Sequence, residues 1–363
     1  MNYWKRSLTL LLVLSVLPFS AFSQQRGKAK IAMIQASGSP TQDPFTEDYD
    51  PEQVRPQMEA HLKKLLSLLE EAGKQGADLV CGPEDMQHIG KYGLHVDKND
   101  PVTGKILFNS LAVPVPGPLT DQIAGIAKRY GMYVIAPIYE AEGDKVYNTA
   151  VFFDRQGEIM GKHRKTLMPV MESWLVEKGN EYEVFETDFA NVSIAICWEI
   201  SYPEIPSVYA LKGADIIFNP TMAKDNKKGQ SLGTAPMFIT RARDNSVYIA
   251  PVVLGEDGNG IIDFNGNVVA EAVGEKDVVI MAEIDFSEER INQSKWWEAI
   301  NGTNNVRALY LKSRRPDLFK LLSDLNPPLM ERYKDIHLTT GDRKRQLKAV
   351  REVDYGVKKQ PEK

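Results

Sequence analysis

The sequence predicts an α/β fold in which helices cover the outer faces of layered β-sheets. Short apolar runs rich in β-branched residues alternate along the chain with longer segments whose apolar residues recur at helical spacing. This alternation is typical of helices packed on sheets. The chain has 363 residues, of which 43% are hydrophobic and 26% charged, so it can bury a sizeable core.

The predicted strands are apolar runs that end at glycine, proline or turn residues. In chain order they are 29–36, 77–81, 132–137, 146–153, 192–197, 215–219, 246–253, a hairpin between 261 and 272, and 278–284. The predicted helices run from 51 to 73 or 76 and over 120–130, 202–212 and 232–244. Residues 86–116 have little periodicity and several Gly and Pro, which predicts a long surface excursion.

The N-terminus has the pattern of a signal peptide. Lys5 and Arg6 precede an apolar run over 8–17, and residues 21–23 (AFS) supply a small-residue cleavage site. This run is shorter than the ~20 apolar residues that a spanning helix needs, which favours cleavage over an uncleaved membrane anchor. We therefore expect residues 1–23 to be removed and the mature protein to be exported, periplasmic or secreted, without stable membrane insertion.

The remaining chain divides by composition into a main domain over 28–288 and a C-terminal extension over 289–363. The extension contains Trp296 and Trp297 and ends in a basic stretch that we expect to be solvated. Its aromatic-rich part is expected to pack on the core or on a partner subunit. The formal net charge is −5 and no domain is strongly basic, which argues against a nucleic-acid-binding protein.

The sequence contains no recognisable metal-binding or phosphate-binding motif. The five histidines are scattered, and none lies at ligand spacing to another His or Cys. No glycine-rich phosphate loop and no G-x-S-x-G elbow is present. The two cysteines, Cys81 and Cys197, either form one bridge or remain free thiols. We expect free thiols, because a core of this size needs no disulfide.

Three residues of complementary chemistry follow predicted strands. Glu84 comes directly after one strand, Lys165 follows a strand and a turn, and Cys197 ends the run NVSIAIC. Strand exits of an α/β sheet converge on one edge. A cysteine attacks as its thiolate, a glutamate can take the thiol proton, and a lysine can stabilise a thiolate or an oxyanion. Taken singly, each residue also fits a structural role, such as a buried cysteine or a turn carboxylate.

Three motifs around these residues resemble the signature regions of the nitrilase or carbon–nitrogen hydrolase superfamily. They are GADLVCGPE at 76–84, HRKTLMP at 163–169 and ICWEISYPE at 196–204, in the family's order. Flanking matches are KIAMIQ at 30–35, YNTAVFFDRQGEI at 147–159, GADIIFNP at 213–220 and RARDNSVYI at 241–249. The resemblance covers about residues 29–286, and the signal peptide is unusual for this largely cytoplasmic superfamily.

The resemblance implies roles for five residues of this chain. Glu84 matches the family's general base, Lys165 its oxyanion-stabilising lysine and Cys197 its nucleophile. Glu172 matches a second glutamate that positions substrate and lysine, and Trp198 would donate its backbone N–H to the oxyanion. The implied route needs no metal and no organic cofactor.

The resemblance also implies an architecture and an assembly. The family fold is an αββα sandwich that pairs face to face in dimers into four layers, and C-terminal segments reach across subunits. By this analogy Trp296, Trp297 and residues 314–316 (RRP) would lie at an interface. The excursion over 86–116 follows Glu84 directly, so it is placed to wall the substrate pocket.

The function that we favour from the sequence is hydrolysis of a non-peptide carbon–nitrogen bond by an amidase that forms a cysteine thioester. A nitrilase is the second candidate, because ICWE and HRKTLMP followed by Glu172 resemble the nitrilase versions of these motifs. The sequence also leaves open an N-acyltransferase and a catalytically silent binding protein. The expected partners are a small-molecule amide or nitrile and further copies of the chain in a homodimer or higher homo-oligomer.

Overall fold

Two six-stranded sheets form the centre of the computed structural model, which describes residues 27–37, 51–89, 107–170, 172–222, 229–255 and 257–334. The first sheet contains Lys28–Gln35 (β1), Leu79–Cys81 (β2), Tyr133–Glu142 (β3), Lys145–Phe153 (β4), Ile159–Arg164 (β5) and Val278–Asp285 (β12). The second contains Phe185–Glu186 (β6), Asn191–Ile194 (β7), Ile216–Thr221 (β8), Tyr248–Val253 (β9), Asn259–Ile262 (β10) and Val268–Ala272 (β11).

Each sheet is mixed, with parallel strands at its centre. The strand order is β12-β1-β2-β3-β4-β5 in the first sheet and β11-β10-β9-β8-β7-β6 in the second. β1, β2 and β3 pair in parallel, as do β7, β8 and β9, and the outer pairs are antiparallel. Parallel central strands place their carboxyl ends at one edge, where α/β folds hold their chemistry.

Helices cover the outer face of each sheet. In chain order the helices are Pro51–Lys74 (α1), Leu107–Leu111 (α2), Pro118–Tyr130 (α3), Glu204–Leu211 (α4), Pro236–Asn245 (α5), Lys295–Asn301 (α6) and Val306–Ser313 (α7). α1 and α3 bury their apolar faces against the first sheet, and α4 and α5 against the second. None of the helices in the described ranges is both long and apolar enough to span a bilayer.

The largest core cluster lies between the two sheets. Side chains such as Met33 and Ile135 of the first sheet meet Ile194, Phe218 and Val252 of the second, and all five are fully buried. Burial on both faces explains why the central strands are continuous apolar runs rather than alternating ones. The predicted αββα fold class is confirmed. The expectation that four layers form when two chains pair was wrong, because one chain supplies both sheets and the helices on both outer faces.

Some predicted boundaries were wrong. β5 and β6 were not predicted, because β5 (IMGKHR) lies at the edge of its sheet and buries only one of its six residues. The predicted strand over 192–197 ends at Ile194, and a 3₁₀ turn, Cys197–Ser201, begins at the cysteine. The predicted surface excursion begins with buried residues over 86–89, and its part over 90–106 lies outside the described residues. Residues 1–23 and the basic end over 335–363 also lie outside them.

The first part of the C-terminal extension is anchored to the main domain by a buried carboxylate. Asp215 directly precedes β8 and is fully buried. It accepts hydrogen bonds from Arg290 Nη2 at 2.7 Å and from Arg307 Nη1 at 3.1 Å. Arg307 Nη2 also donates to the backbone oxygen of Ala214. The part of the extension up to α7 therefore packs on the core of its own chain.

Asp215→Asn is expected to lower the free energy of unfolding by about 3 kcal/mol, because it leaves two largely buried guanidinium groups without their carboxylate. Urea unfolding followed by circular dichroism measures this. The matched control is Asp317→Asn, which removes an exposed pair with Arg315 and is expected to change stability by less than about 1 kcal/mol. Equal stability of the two variants would show that Asp215 does not anchor the extension.

Candidate active site

Lys165 is buried at the end of β5 between two carboxylates. Its Nζ donates to Glu84 Oε1 at 3.0 Å and to Glu172 Oε2 at 2.6 Å, and the Lys165 side chain is 1% exposed. Glu84 follows β2 in the first sheet, and Glu172 begins a 3₁₀ turn, Glu172–Trp174, seven residues after the lysine. The structure thus brings together three of the residues that the sequence singled out.

Asn148 of β4 links the same two carboxylates from the other side. Its Nδ2 donates to Glu84 Oε1 at 2.8 Å and to Glu172 Oε1 at 2.7 Å. Together with the bonds from Lys165, these contacts join four side chains in a closed ring of hydrogen bonds: Glu84, Asn148, Glu172 and Lys165. Asn148 Oδ1 is buried and has no hydrogen-bond partner among the described residues. The ring fixes the lysine and both glutamates in one arrangement before any substrate binds.

The two oxygens of Glu84 are not equivalent. Oε1 accepts from both Lys165 and Asn148, whereas Oε2 accepts from the backbone N–H of Met222 at 2.9 Å. A carboxylate oxygen accepts about two hydrogen bonds, so Oε1 is saturated and Oε2 keeps one lone pair. The chemically available oxygen of Glu84 is therefore Oε2.

Cys197 stands at a strained turn between β7 and α4. Its backbone φ is 48°, in the left-handed region that non-glycine residues seldom occupy. Asn219 Nδ2 holds this turn by donating to the backbone oxygens of Ala195 at 2.6 Å and of Cys197 at 3.3 Å. Strained backbone of this kind persists where the surrounding structure fixes it, and it often marks functional sites.

The thiol of Cys197 lies within the field of the charged ring. Burial and, after it, the negative charge of Glu84 raise the pKa of this thiol to about 12, while Lys165 and a hydrogen bond with the Thr221 side chain act in the opposite direction. The thiol is therefore protonated at neutral pH. A thiolate forms only when its proton moves to a nearby base.

The charges of the ring explain these shifts. Burial alone would lower the pKa of Lys165, but the charges of Glu84 and Glu172 outweigh it and raise that pKa, so the lysine stays an ammonium ion. Burial raises the pKa of Glu172, and Lys165 opposes this. Two carboxylates against one ammonium leave the ring with one net negative charge, which disfavours a second anion on sulfur.

Two further predictions concern residues near the nucleophile. Trp198 follows Cys197, the residue is 44% exposed, and its Nε1 donates to Tyr202 Oη at 3.2 Å. Cys81 is fully buried in the core between the sheets, and burial raises the pKa of its thiol. Both cysteines are free thiols, so the expectation of no disulfide between Cys81 and Cys197 is confirmed.

The sequence did not reveal Asn148, Asn219 or Thr221 as parts of the site. Asn148 lies in YNTAVFF and Asn219 in GADIIFNP, both of which belong only to the flanks of the three motifs. A polar residue inside an apolar strand run was the available signal, since buried amides need partners. Within the described ranges, no group of three or more His, Cys, Asp or Glu side chains is arranged to hold a metal ion.

Comparison with protein families gives one match that covers most of the chain. The family model for carbon–nitrogen hydrolases matches residues 30–290. This range includes Glu84, Lys165, Glu172 and Cys197. All but the first two residues of the C-terminal extension lie outside it.

Curated relatives include both nitrilases and amidases. The bifunctional nitrilase/nitrile hydratase NIT4A of Lupinus angustifolius is 36% identical over 173 residues, which cover 45% of this chain and 49% of that protein. This chain therefore spans about half the length of that relative. The omega-amidase NIT2-A of Xenopus laevis is 30% identical over 255 residues, which cover 64% of this chain and 86% of that protein.

Solved structures share the fold at lower identity. Saccharomyces cerevisiae Nit3, a member of branch 10 of the nitrilase superfamily, is 23% identical and has a TM-score of 0.55. The match covers 72% of this chain and 91% of that one. The two-sheet sandwich with helices on both faces is thus the fold of this superfamily.

Proposed function

Since this chain belongs to the carbon–nitrogen hydrolase family, we propose that it is an amidase that hydrolyses a small-molecule carboxamide through a thioester on Cys197. Glu84 is the general base, Lys165 stabilises the oxyanion, and Glu172 positions the lysine. The observation that carries the proposal is the buried lysine held between two carboxylates, beside a thiol on a strained turn.

In the first step Cys197 becomes acylated. The thiol proton moves to Glu84 Oε2 as sulfur forms a bond to the amide carbon. Glu84 becomes neutral as the negative charge passes to the substrate oxygen, so the net charge of the whole site is conserved and the transfer requires less free energy than forming a thiolate beside an ionised Glu84 in the resting enzyme. The carbonyl oxygen becomes an oxyanion that accepts from Lys165 and from the Trp198 backbone N–H. The C–N bond then breaks, and the nitrogen leaves as ammonia or an amine with the proton from Glu84.

Lys165 can take this role because of its three ammonium protons. Among the described residues, one of them goes to Glu84 and one to Glu172, so one remains for the substrate oxygen. The ammonium is fixed before the reaction, which is the condition for strong electrostatic stabilisation of an oxyanion.

In the second step water replaces the amine. Glu84, a carboxylate again, takes a proton from water as the water oxygen attacks the thioester carbon. The oxyanion forms at the same place, the C–S bond breaks, and the Cys197 sulfur recovers the proton from Glu84. The products are a carboxylic acid and the free enzyme. Lys165, Glu172 and Asn148 are chemically unchanged, and Glu84 is again a carboxylate.

A nitrilase is the second candidate, because the lupin relative with 36% identity carries that activity. The omega-amidase match favours an amidase, since it extends over 86% of that relative. A panel of matched amides and nitriles with the same acyl groups separates the two by the rate of ammonia release. Turnover of amides alone supports the amidase, whereas turnover of nitriles to acids with little amide turnover replaces it by a nitrilase. Turnover of neither would refute the proposed function.

The proposal includes export and a homo-oligomer. Residues 1–23 have the pattern of a cleaved signal peptide, and N-terminal sequencing of the protein from the producing cell tests this. The described part of the extension exposes a row of large apolar side chains, and three of the most exposed are Trp296 at 69%, Leu322 at 69% and Leu325 at 88%. Soluble monomers seldom expose so much apolar surface in one segment. We assign this surface to contact with a second copy of the chain.

Replacing both Leu322 and Leu325 by glutamate is expected to shift the protein from dimer or higher oligomer towards monomer at micromolar concentration. Sedimentation velocity measures the change. Val269→Glu is the matched control, since it places a charge at an exposed apolar residue of β11 in the main domain. A monomeric wild type, or an unchanged mass of the double variant, would contradict the assignment.

A further inference from the structure

A buried carboxylate behind the site bonds to the chain beside both Cys197 and Lys165. Glu199 is fully buried two residues after the cysteine. Its Oε2 accepts from the backbone N–H of Ile196 at 2.6 Å. Its Oε1 accepts from the backbone N–H of Thr166 at 2.8 Å and from Thr166 Oγ1 at 2.6 Å. Ile196 directly precedes the cysteine and Thr166 directly follows the lysine, so one side chain joins their two loops.

His163 holds Glu199 from the opposite side. His163 Nε2 lies 2.9 Å from Glu199 Oε2, and Nδ1 lies 2.7 Å from Glu183 Oε2. A ring that donates from both nitrogens is an imidazolium. Burial alone would lower the pKa of His163, but Glu199 and Glu183 raise it to about 9. The Glu183 side chain is 25% exposed. The three charged groups Glu183, His163 and Glu199 therefore form a hydrogen-bonded series from the surface to the turn that holds Cys197.

We infer that Glu199 is a positioning residue that sets the spacing between the nucleophile's turn and the lysine's loop, and that imidazolium His163 keeps it in place. This inference rests on the proposed function. It gives the Cys197 sulfur and the Lys165 ammonium a common support. Both groups must contact the same substrate carbonyl, and their positions must be correct to within a few tenths of an ångström.

The arrangement has a consequence at alkaline pH. A neutral imidazole has a single N–H and cannot donate to Glu199 and Glu183 together. The other titratable group that packs against His163 is Tyr209, whose ring is edge-on to it, and Tyr182 in turn packs edge-on against Tyr209. Burial raises the pKa of both tyrosines, so they stay neutral when His163 loses its proton. The positive charge that faces Glu199, and one of the two hydrogen bonds from the ring, are therefore lost as the pH rises through about 9.

Neither Cys197 nor Lys165 titrates in this range. The pKa of the Cys197 thiol is about 12, and the charges around Lys165 raise its pKa further above the usual value. A descending limb of kcat near pH 9 in the wild type is thus the expected signature of His163. Glu183 raises the pKa of His163, so its removal lowers that pKa and moves the limb to lower pH.

The experiment compares pH profiles of kcat and KM for Glu183→Gln, Glu199→Gln and the wild type with one amide substrate. Glu183→Gln is expected to move the limb down by about one pH unit. Glu199→Gln is expected to lower kcat about 10- to 100-fold with little change in KM, because one amide end of glutamine cannot accept the two donors that face it. The control Glu181→Gln removes an exposed carboxylate from the same loop and should leave the limb in place.

The outcomes separate the inference from the proposed function. A wild type without turnover on any amide would refute the proposed function. A wild type with turnover but with a limb that Glu183→Gln does not move would overturn the inference alone. Titration of His163 by NMR in protein labelled at histidine checks the same shift without turnover. If Glu199→Gln fails to fold, the partly exposed Glu183 variant still decides the question.

Discussion

Cys197→Ala is expected to reduce amide turnover at least about a thousandfold, because it removes the thiol on which the covalent acyl-enzyme forms. The variant keeps Glu84, Lys165, Glu172 and Asn148, so the pocket is expected to bind the amide with little change in affinity. Rates of ammonia release and equilibrium binding of the same amide measure the two quantities separately.

The matched control for this variant is Cys81→Ala. Cys81 is the other cysteine of the chain and is buried between the sheets away from solvent. Its replacement removes one sulfur from the core, so it is expected to lower stability but to keep the turnover rate within about threefold. Activity of Cys197→Ala above about one part in a thousand would indicate another nucleophile.

Glu84→Gln is expected to have opposite effects on catalysis and on thiol reactivity. Turnover is expected to fall about 10²- to 10⁴-fold, because glutamine cannot take the thiol proton or activate water. The negative charge of Glu84 contributes to the raised pKa of the Cys197 thiol. Its removal lowers that pKa, so the thiolate fraction at pH 8 to 9 increases. Modification of Cys197 by methyl methanethiosulfonate is therefore expected to be several times faster than in the wild type.

The matched control is Glu177→Gln, which neutralises an exposed carboxylate shortly after Glu172. It is expected to change neither rate. Peptide mapping assigns the modification to Cys197 rather than to buried Cys81. Slower modification of Glu84→Gln, in parallel with its turnover, would mean that Glu84 stabilises a thiolate already present in the resting enzyme, and it would contradict the protonated thiol described above.

The sequence was sufficient for the layers of the fold, because strands buried on both faces are apolar throughout. It was insufficient for β5, whose residues are mostly half-exposed at a sheet edge and carry no apolar run. It also placed Cys197 at the end of a strand. The cysteine instead begins a 3₁₀ turn, and its positive φ depends on contacts such as that from Asn219, which lies 22 residues away.

The residues of the site were predictable in type but not in their connections. Glu84, Lys165 and Glu172 were identified from motifs, and the structure brings them into contact. The bridge through Asn148 was not predictable. It depends on the strand order of the first sheet, in which only β3 separates β4, with Asn148, from β2, which precedes Glu84. Likewise, the place of Glu199 depends on bonds to residues more than 30 positions away, which no local pattern of the sequence encodes.

The covalent intermediate on Cys197 is the most direct test of the proposed mechanism. Wild-type protein is mixed with a good amide substrate, quenched with acid during turnover, and analysed by intact mass and peptide mapping. The expected result is an added acyl group on the peptide that contains Cys197, which hydroxylamine removes as a hydroxamate. Continued acid production with an adduct on another residue, or with neither an adduct nor a hydroxamate, would contradict the mechanism.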